Sequence, residues 1–588
     1  MAKSATNIFF YFSVRAERAR YAFKFRRKSM SNSAVQTKHT ITVDKKNWWK
    51  NAVGYQIYPR SFKDSNHDGI GDLNGIREKL PYLKELGINF IWINPIYASP
   101  NVDNGYDISD YQAIHEDFGT MDDFQALLAE AHGLELKIIM DLVVNHTSDQ
   151  HPWFLESKKS LDNPYRDYYH WADASKALPP NDWQSFFGGS TWTYDEMTKQ
   201  SYFHVFAKEQ PDLNWKNPKV RQEIYQMIRW WLDLGIDGFR IDAISHIQKE
   251  PWDFKITDNQ WAPFMNVAGI DVYLKELNAI FNEYNVMTVG EASGVPHQEA
   301  ADWTGDNGYF NMIFELEHCE RIGEIGQQKG SIPHLKHSLN QWQTSLADNG
   351  WNALYLENHD TPRSVSVYGD DSPEAAKALA TVLLLLKGTP FIYQGQEVGM
   401  TNYPFRTIEE INAADTIHFY QTLLTQGTLD TEALAIAVNW SRDHSRTPFQ
   451  WENALHGGFS TTDPWLKVNE NYRMINAAQR ELESSSIFHH YQTLIQLRKQ
   501  TDTLIHGKFE LLLPEHPTIF GYTRTTETES WLVLVQLDRH QMTISLPASW
   551  DYSKWEEILT TARAMPLTQN MTLSDYEAHV YRKVSPTE

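Results

Sequence analysis

Short apolar segments alternate with longer amphipathic ones along most of this chain, and this alternation constrains the fold more than any other feature. The short segments have the β-branched, apolar character of buried strands. The stretches between them have helical periodicity: in 220–234 the apolar residues recur on one face, and Gly235 ends the helix. The pattern predicts an α/β fold, a parallel (β/α)8 TIM barrel. The eight predicted strands are 53–58, 89–96, 137–144, 238–243, 286–291, 310–314, 353–356 and 390–393.

Three further regions interrupt or extend the barrel pattern. Residues 145–213 are too long for a plain loop and predict an inserted subdomain after strand 3. Period-2 segments predict a C-terminal antiparallel β domain, a β-sandwich over 508–588. The barrel with its following loops then occupies 48–144 and 214–507, and the basic residues 1–47 are expected to be a disordered arm or an artefact of upstream translation.

Charge and cysteine content exclude several classes of function. A formal charge of −22 argues against a nucleic-acid partner, because phosphate binding needs a basic face that only the N-terminal arm offers. Cys319 is the single cysteine and can form no intrachain disulfide, so nothing requires an oxidising compartment. The apolar run 8–14 is too short for a membrane span. We expect a cytoplasmic protein, monomeric, with a neutral substrate and no membrane partner.

Three carboxylate-bearing stretches each end an apolar segment. In a parallel barrel the carboxyl ends of the strands face one cavity, so Asp242, Glu291 and Asp360 are expected to converge there with Arg240 and His359. Hydrolysis of an acetal needs one carboxylate that attacks the anomeric carbon and a second carboxyl that protonates the departing oxygen. Ion pairs that only brace the barrel are the alternative, but they contribute little stability and leave the third acid unexplained. The stretches are 238–242, 289–291 and 357–360.

The neighbours of these acids suggest how their pKa values differ. A nucleophilic aspartate must stay ionised at the working pH. Arg240 lies two residues before Asp242 on the same strand face, so its charge is expected to keep the pKa of Asp242 low. Glu291 has no adjacent cation in the sequence and can keep its proton.

The same stretches carry a family resemblance. Together with Asp141-Leu-Val-Val-Asn-His146, the stretches 238–243, 291–293 and 357–360 resemble the four hallmark regions of the α-amylase family, glycoside hydrolase family 13, over about residues 48–588. The resemblance implies Asp242 as the nucleophile and Glu291 as the general acid and then the base. It implies Asp360 as the acid that holds sugar hydroxyls and stabilises the oxocarbenium-like transition state.

The resemblance also implies a wider substrate-binding set. His146 and His359 would hydrogen-bond the sugar in the first subsite, and Asp103 would form part of its wall. Two arginines match a segment whose arginine pairs with an acid such as Asp103 and closes the pocket, and the sequence does not decide between them. These arginines are Arg442 and Arg446; the remaining implied residues are Tyr106, Phe206, Arg240 and Ala243.

A branch of the family is indicated by Gln-Pro-Asp-Leu-Asn at 210–214, which resembles the oligo-1,6-glucosidase branch. In that branch Val after the nucleophile accompanies α-1,6 cleavage, and smaller or polar residues accompany α-1,4 cleavage; Ala243 leaves the preference open. The prediction is an exo-acting, retaining α-glucosidase that removes terminal α-1,6- or α-1,4-linked glucose from a small oligosaccharide. The alternatives are a trehalose-6-phosphate hydrolase, a sucrose-isomerising or transglycosylating relative, and a non-catalytic scaffold relative.

A last motif predicts a metal site. Oxygen-bearing residues alternate around a glycine-rich turn at 64–72, as in the first half of an EF-hand loop, although the twelfth position is Gly75 rather than Glu. The resemblance implies one structural Ca2+ and no organic cofactor, and an ion-free turn is the alternative. The implied ligands are Asp64, Asn66, Asp68, the Ile70 carbonyl and Asp72.

Overall fold

The computed structural model describes residues 47–175, 178–319, 330–483 and 485–584. Eight parallel strands close into a barrel in which each strand pairs with the next along the chain and the last pairs with the first, and this confirms the predicted fold class. All eight predicted strands are present; six are shorter than predicted, the seventh begins one residue earlier and ends two residues earlier, and the eighth begins one residue earlier. Strands β1 to β8 are Gly54–Ile57, Phe90–Ile93, Lys137–Val143, Gly238–Asp242, Met287–Glu291, Met312–Phe314, Asn352–Leu354 and Thr389–Tyr393.

The barrel strands are apolar along almost their whole length because both of their faces are covered. Inward side chains such as Trp92, Val289 and Phe391 form one cluster that fills the barrel. Outward side chains such as Ile91 and Ile138 pack in a second cluster that includes the surrounding helices. A strand that is buried on both sides reads as a continuous apolar run rather than an alternating one.

The helices between the strands are amphipathic and begin at recognisable caps. In Pro218–Asp233, for example, Asn217 caps the first turn and Val220, Ile224 and Trp231 face the barrel. The helices are Leu73–Leu86, Met121–Gly133, Pro152–Ser157, Pro218–Asp233, Asp271–Tyr284, Ala300–Thr304, Ile332–Ser345, Ser364–Val367, Pro373–Leu384, Ala414–Thr425, Asp430–Val438, Asp443–Arg446, Ile487–Lys499 and Asp502–His506.

In the described part of the chain, three further groups of strands lie outside the barrel. Between β3 and Pro218–Asp233, a three-stranded antiparallel sheet forms from Trp171–Asp173, Trp192–Asp195 and Gln200–Phe203. The C-terminal part is antiparallel, as predicted, with a five-stranded sheet and a two-stranded one. Its strands are Lys508–Leu512, Ile519–Thr525, Glu529–Gln536, Met542–Ser545, Trp555–Thr560, Asn570–Leu573 and Ala578–Val584, and a small pair near the barrel mouth is Tyr97–Ala98 with Asp110–Ile114.

The predicted N-terminal arm, 1–47, lies outside the described residues except for Asn47. Within the described part of the chain, no helix is long and apolar enough to cross a membrane.

Candidate active site

A cavity of about 700 Å³, including its open mouth, lies at the carboxyl ends of the barrel strands. Most of the residues that the sequence predicts for the site line it. The lining residues are Asp103, Tyr106, His146, Phe186, Phe187, Phe206, Asp242, Ala243, His246, Glu291, Ser293, Asp360 and Arg442.

Arg240 lies beneath this cavity and joins three carboxyl groups. Asp141 on β3 stands beside Arg240 on β4 in the strand register, and its Oδ1 is 2.8 Å from the guanidinium. The same guanidinium lies 2.6 Å from Asp242 and 2.8 Å from Glu291. Arg240 is 1 % exposed, so these contacts form away from water. One cation therefore fixes the two predicted catalytic acids next to each other.

The electrostatics of Asp242 differ from the prediction that Arg240 keeps its pKa low, and that prediction is wrong. Burial raises the pKa of Asp242 well above its ordinary value, Arg240 offsets only part of this, and the neighbouring Glu291 and Asp141 raise it further. Glu291 has no adjacent cation in the sequence, but strand pairing brings Arg240 to it in the structure. Three carboxyls around one guanidinium favour retention of a proton within the group.

The surroundings of Asp360 lower its pKa, whereas those of Asp242 raise the pKa of that residue. Its Oδ1 lies 2.7 Å from Arg446 and 3.1 Å from Arg442, and its Oδ2 lies 3.1 Å from His359. Burial would raise the pKa of Asp360, but its contacts with His359, Arg442 and Arg446 hold it well below its ordinary value. Asp360 is therefore an ionised carboxylate that faces the cavity.

The structure distinguishes the two arginines that the sequence left open. Arg442 lies 3.5 Å from Asp103 and 3.2 Å from Asp415, and it bridges to Asp360 across the end of the cavity. Arg446 is buried beneath Asp360, where its Nε donates to the His359 carbonyl at 2.8 Å. Arg442 therefore closes the cavity, and Arg446 supports Asp360 from below.

The two predicted histidines lie at different depths. His146 lines the cavity, and burial lowers its pKa to about 3, so its ring is neutral. His359 is fully buried: its Nδ1 contacts Gln56 at 2.8 Å and its Nε2 contacts the Tyr106 hydroxyl at 2.7 Å. His359 thus contacts Asp360 and Tyr106 rather than lining the cavity.

Four lining residues were missed by the sequence reasoning, and they come from loops. Phe186 and Phe187 belong to the insertion, where Phe186 stacks on Phe206 at 5.4 Å between ring centroids. His246 and Ser293 follow β4 and β5 by a few residues. A search of the residues directly after each predicted strand would have found these two, but nothing local marks the phenylalanines.

Ala243 occupies a constrained position directly after Asp242. Its backbone is left-handed, with φ of 44°, and its N–H donates to Glu291 Oε2 at 3.0 Å. A non-glycine residue in this region carries a conformational cost, which recurs at functional sites. Here the turn lets the backbone that follows Asp242 contact Glu291.

The predicted calcium loop adopts a hydrogen-bonded turn. The two Asp64 oxygens accept four hydrogen bonds, from the N–H groups of residues 66, 67 and 69 and from Ser460. Asp72 accepts from Ser65 and from the Gly75 N–H. Among the described residues, no group of three or more His, Cys, Asp or Glu is arranged to hold a metal ion. The carboxylates of Asp64 and Asp72 accept hydrogen bonds in this arrangement, and the calcium site stays a prediction.

A parallel barrel whose carboxyl-end cavity holds three acids and is closed at one end is typical of the glycoside hydrolases. A family model described as the catalytic domain of alpha amylase matches residues 56–507. The chain belongs to the α-amylase family, glycoside hydrolase family 13.

Several relatives match over almost the whole of their own length. The chain is 49% identical to the probable oligo-1,6-glucosidase 3 of Bacillus subtilis (strain 168) and 46% identical to the oligo-1,6-glucosidase of Bacillus cereus, in each case over 91% of this chain and 99% of the relative. A solved structure of a mutant trehalose-6-phosphate hydrolase of Bacillus licheniformis matches with a TM-score of 0.87 at 40% identity, covering 91% of this chain and 99% of the other.

Proposed function

We propose that this glycoside hydrolase is an exo-acting, retaining α-glucosidase that removes terminal glucose from short α-1,6- or α-1,4-linked oligosaccharides. The observation that carries the proposal is a cavity closed at one end by Arg442 and Asp103, with Asp242 and Glu291 held on one guanidinium. The relatives named oligo-1,6-glucosidase, at 46% and 49% identity, support it.

The first half of the reaction uses Asp242 and Glu291, the two acids that contact Arg240. Asp242 attacks the anomeric carbon, the bond from that carbon to the leaving oxygen breaks, and Glu291 gives its proton to that oxygen. A glycosyl ester on Asp242 results. Retaining enzymes hold these carboxyls about 5–5.5 Å apart, closer than inverting enzymes do, and a shared guanidinium favours the closer spacing.

The second half reverses the proton transfer. Glu291, now ionised, takes a proton from water, and the water oxygen displaces Asp242 from the anomeric carbon. Because Arg240 contacts both acids, its charge can compensate whichever one is ionised at each stage. The ionised Asp360 stabilises the positive charge that develops on the sugar ring in both transition states.

Exo action follows from the closed end of the cavity. Arg442 bridges Asp103, Asp360 and Asp415, so a polymer cannot continue past the first glucose. The open side faces Ala243, His246 and Ser293, and it takes the leaving part of the substrate. The small Ala243 side chain leaves room there, so both linkages are proposed as substrates.

The cavity is less well suited to a phosphorylated disaccharide than to a neutral one. Recognition of a phosphate needs free cationic donors. Among the described residues that line the cavity, Arg442 is the one Lys or Arg, and it already contacts three acids. We therefore place trehalose 6-phosphate behind isomaltose and maltose as a substrate.

We also propose that the protein works in the cytoplasm as a monomer on imported sugars. The acidic charge and the single cysteine support this location. Analytical ultracentrifugation and fractionation of the source cells test the two parts separately.

The function is tested by initial rates of glucose release from isomaltose, maltose, sucrose and trehalose 6-phosphate at equal concentration. Release from isomaltose and maltose is expected, with the α-anomer of glucose formed first, as NMR can record. Faster release from trehalose 6-phosphate would favour the alternative hydrolase. No release from any substrate above that of the Asp242→Asn protein would favour the scaffold alternative.

The roles of the two acids give a first mutational prediction. Asp242→Asn removes the nucleophile and Glu291→Gln removes the acid, so each should lower kcat by about 10³-fold or more while the melting temperature changes little. Azide should restore turnover of an activated substrate by Glu291→Gln only if Glu291 is the acid and base. Turnover close to that of the wild type in either variant would contradict the assignment.

A further inference from the structure

Lys249 is a buried cation that the proposed reaction does not use. It lies seven residues after Asp242, is 2 % exposed, and does not line the cavity. Its three polar contacts are close: Asp212 Oδ2 at 2.7 Å, Asn145 Oδ1 at 2.8 Å and the His246 carbonyl at 2.5 Å. An ammonium has three donors, so this set uses all of them.

The three partners belong to three segments of the chain that each carry a residue lining the cavity. Asn145 follows β3 and precedes His146, which lines the cavity. Asp212 ends the insertion, and its Oδ1 accepts the N–H of Val205, the residue before Phe206. His246 follows β4 and lines the cavity, with its ring 6.0 Å from that of Phe206 between centroids. Lys249 therefore connects the insertion to the segments that follow β3 and β4.

The bond to His246 extends to the catalytic acid. The His246 N–H donates to the Ala243 carbonyl at 3.0 Å, and the Ala243 N–H donates to Glu291 Oε2 at 3.0 Å. The turn between Ala243 and His246 thus has Lys249 bonded at one end and Glu291 at the other. Because Ala243 is left-handed, the turn needs such contacts to keep its conformation.

We propose that Lys249 is a positioning residue that fixes the turn after β4 and thereby holds Glu291 in place for proton transfer to the leaving oxygen. The proposal rests on the proposed function, since it requires Glu291 to be the general acid. A purely structural role, in which Lys249 only neutralises the buried Asp212, predicts a different result, because it would affect all substrates equally.

The test compares leaving groups that differ in their need for a proton. Isomaltose needs protonation of its leaving oxygen, whereas α-glucosyl fluoride needs little. Lys249→Met combined with Asp212→Asn removes the ion pair without leaving a buried charge. This variant should lose about 10–100-fold in kcat/KM on isomaltose, part of the 10²–10⁴-fold that general acid catalysis supplies, and only a few-fold on the fluoride.

Two further variants make the result decisive. Lys255→Met removes an exposed lysine of the same segment and should leave both rates unchanged. Lys249→Gln keeps two of the three N–H donors and should show the same selective loss to a smaller degree. It serves as the test if the double variant does not fold. Equal losses on the two substrates, or no loss, would overturn the positioning role. A wild-type protein that cleaves neither substrate would instead contradict the proposed function.

Discussion

The pKa values and ion pairs of individual residues in this protein depend on neighbours that are distant in the sequence. Arg240 forms ion pairs with Asp141, Asp242 and Glu291 at the same time, although only Asp242 lies near it in the chain. Because burial and the neighbouring acids raise the pKa of Asp242, kcat/KM should decline on the acid side as this proposed nucleophile takes up a proton.

Glu397 gives a prediction about stability and pH. It is fully buried after β8, where Tyr55 and Tyr82 donate to its Oε1 at 2.8 and 2.7 Å. Burial raises its pKa to about 7. The native state therefore binds more protons than the unfolded state between about pH 4.5 and 7, so the free energy of unfolding should fall as pH rises through this window, by up to about 3 kcal/mol.

The variant Glu397→Gln tests this slope. It does not titrate, so the difference in unfolding free energy between wild type and variant should shrink or reverse from pH 4.5 to pH 8 in urea titrations. The variant also loses the bond from the Gly395 N–H, which lowers its stability by about 1 kcal/mol at every pH. A difference that stays constant with pH would contradict the raised pKa.

At the scale of single elements, the loop at 64–72 shows how one pattern permits two structures. Its oxygens can bind a cation, or they can accept backbone N–H groups, as they do here. We keep the prediction of one bound Ca2+, which would have to replace some of these bonds. EGTA should then lower the melting temperature by several degrees, and excess Ca2+ but not Mg2+ should restore it.

The variant Asp68→Ala separates the two possibilities. Asp68 accepts from Ile70 N–H and from Asn66, and it is exposed. If calcium binds, this variant should melt at the temperature of the EGTA-treated wild type and should not respond to calcium. A wild-type protein whose melting is the same with EGTA and with calcium would show that the hydrogen-bonded turn is sufficient.

At the scale of the whole molecule, the buried Arg524 connects the C-terminal sheet to the barrel helices, and the buried Arg498, on the helix Ile487–Lys499, donates to the same region. Arg524, on Ile519–Thr525, donates to the carbonyls of Leu385 and Leu504 at 2.8 and 2.6 Å. Arg498 donates to the Leu386 carbonyl at 2.7 Å. These carbonyls include the end of Pro373–Leu384 and the turn before β8, so the arginines replace water at a buried helix terminus.

Arg524→Met should therefore weaken the attachment of the sheet. It leaves several carbonyls buried without donors, at about 1–3 kcal/mol each, so the unfolding free energy should fall by several kcal/mol. Urea denaturation followed by tryptophan fluorescence measures it, with the exposed Lys508→Met on the adjacent strand as the control. Equal stability of the two variants would show that the apolar contacts alone hold the sheet.

Much of this architecture is predictable because it depends on local pattern. Continuous apolar runs mark strands that are covered on both faces, and carboxyl ends of parallel strands meet at one cavity, so the positions of Asp242, Glu291 and Asp360 follow from order along the chain. The phenylalanines 186 and 187 could not be found in this way, because the insertion places them by packing and not by any strand end.

The sequence by itself determined the barrel, the antiparallel C-terminal part and the meeting of Asp242, Glu291 and Asp360 at one cavity. The tertiary structure decided which charges meet. Arg442 rather than Arg446 contacts Asp103, Arg240 contacts Glu291 as well as Asp242, and Lys249 contacts three segments around the cavity. The physical reason is that periodicity and strand order act along the chain, whereas ion pairing and burial depend on distances between side chains that only the closed barrel brings together.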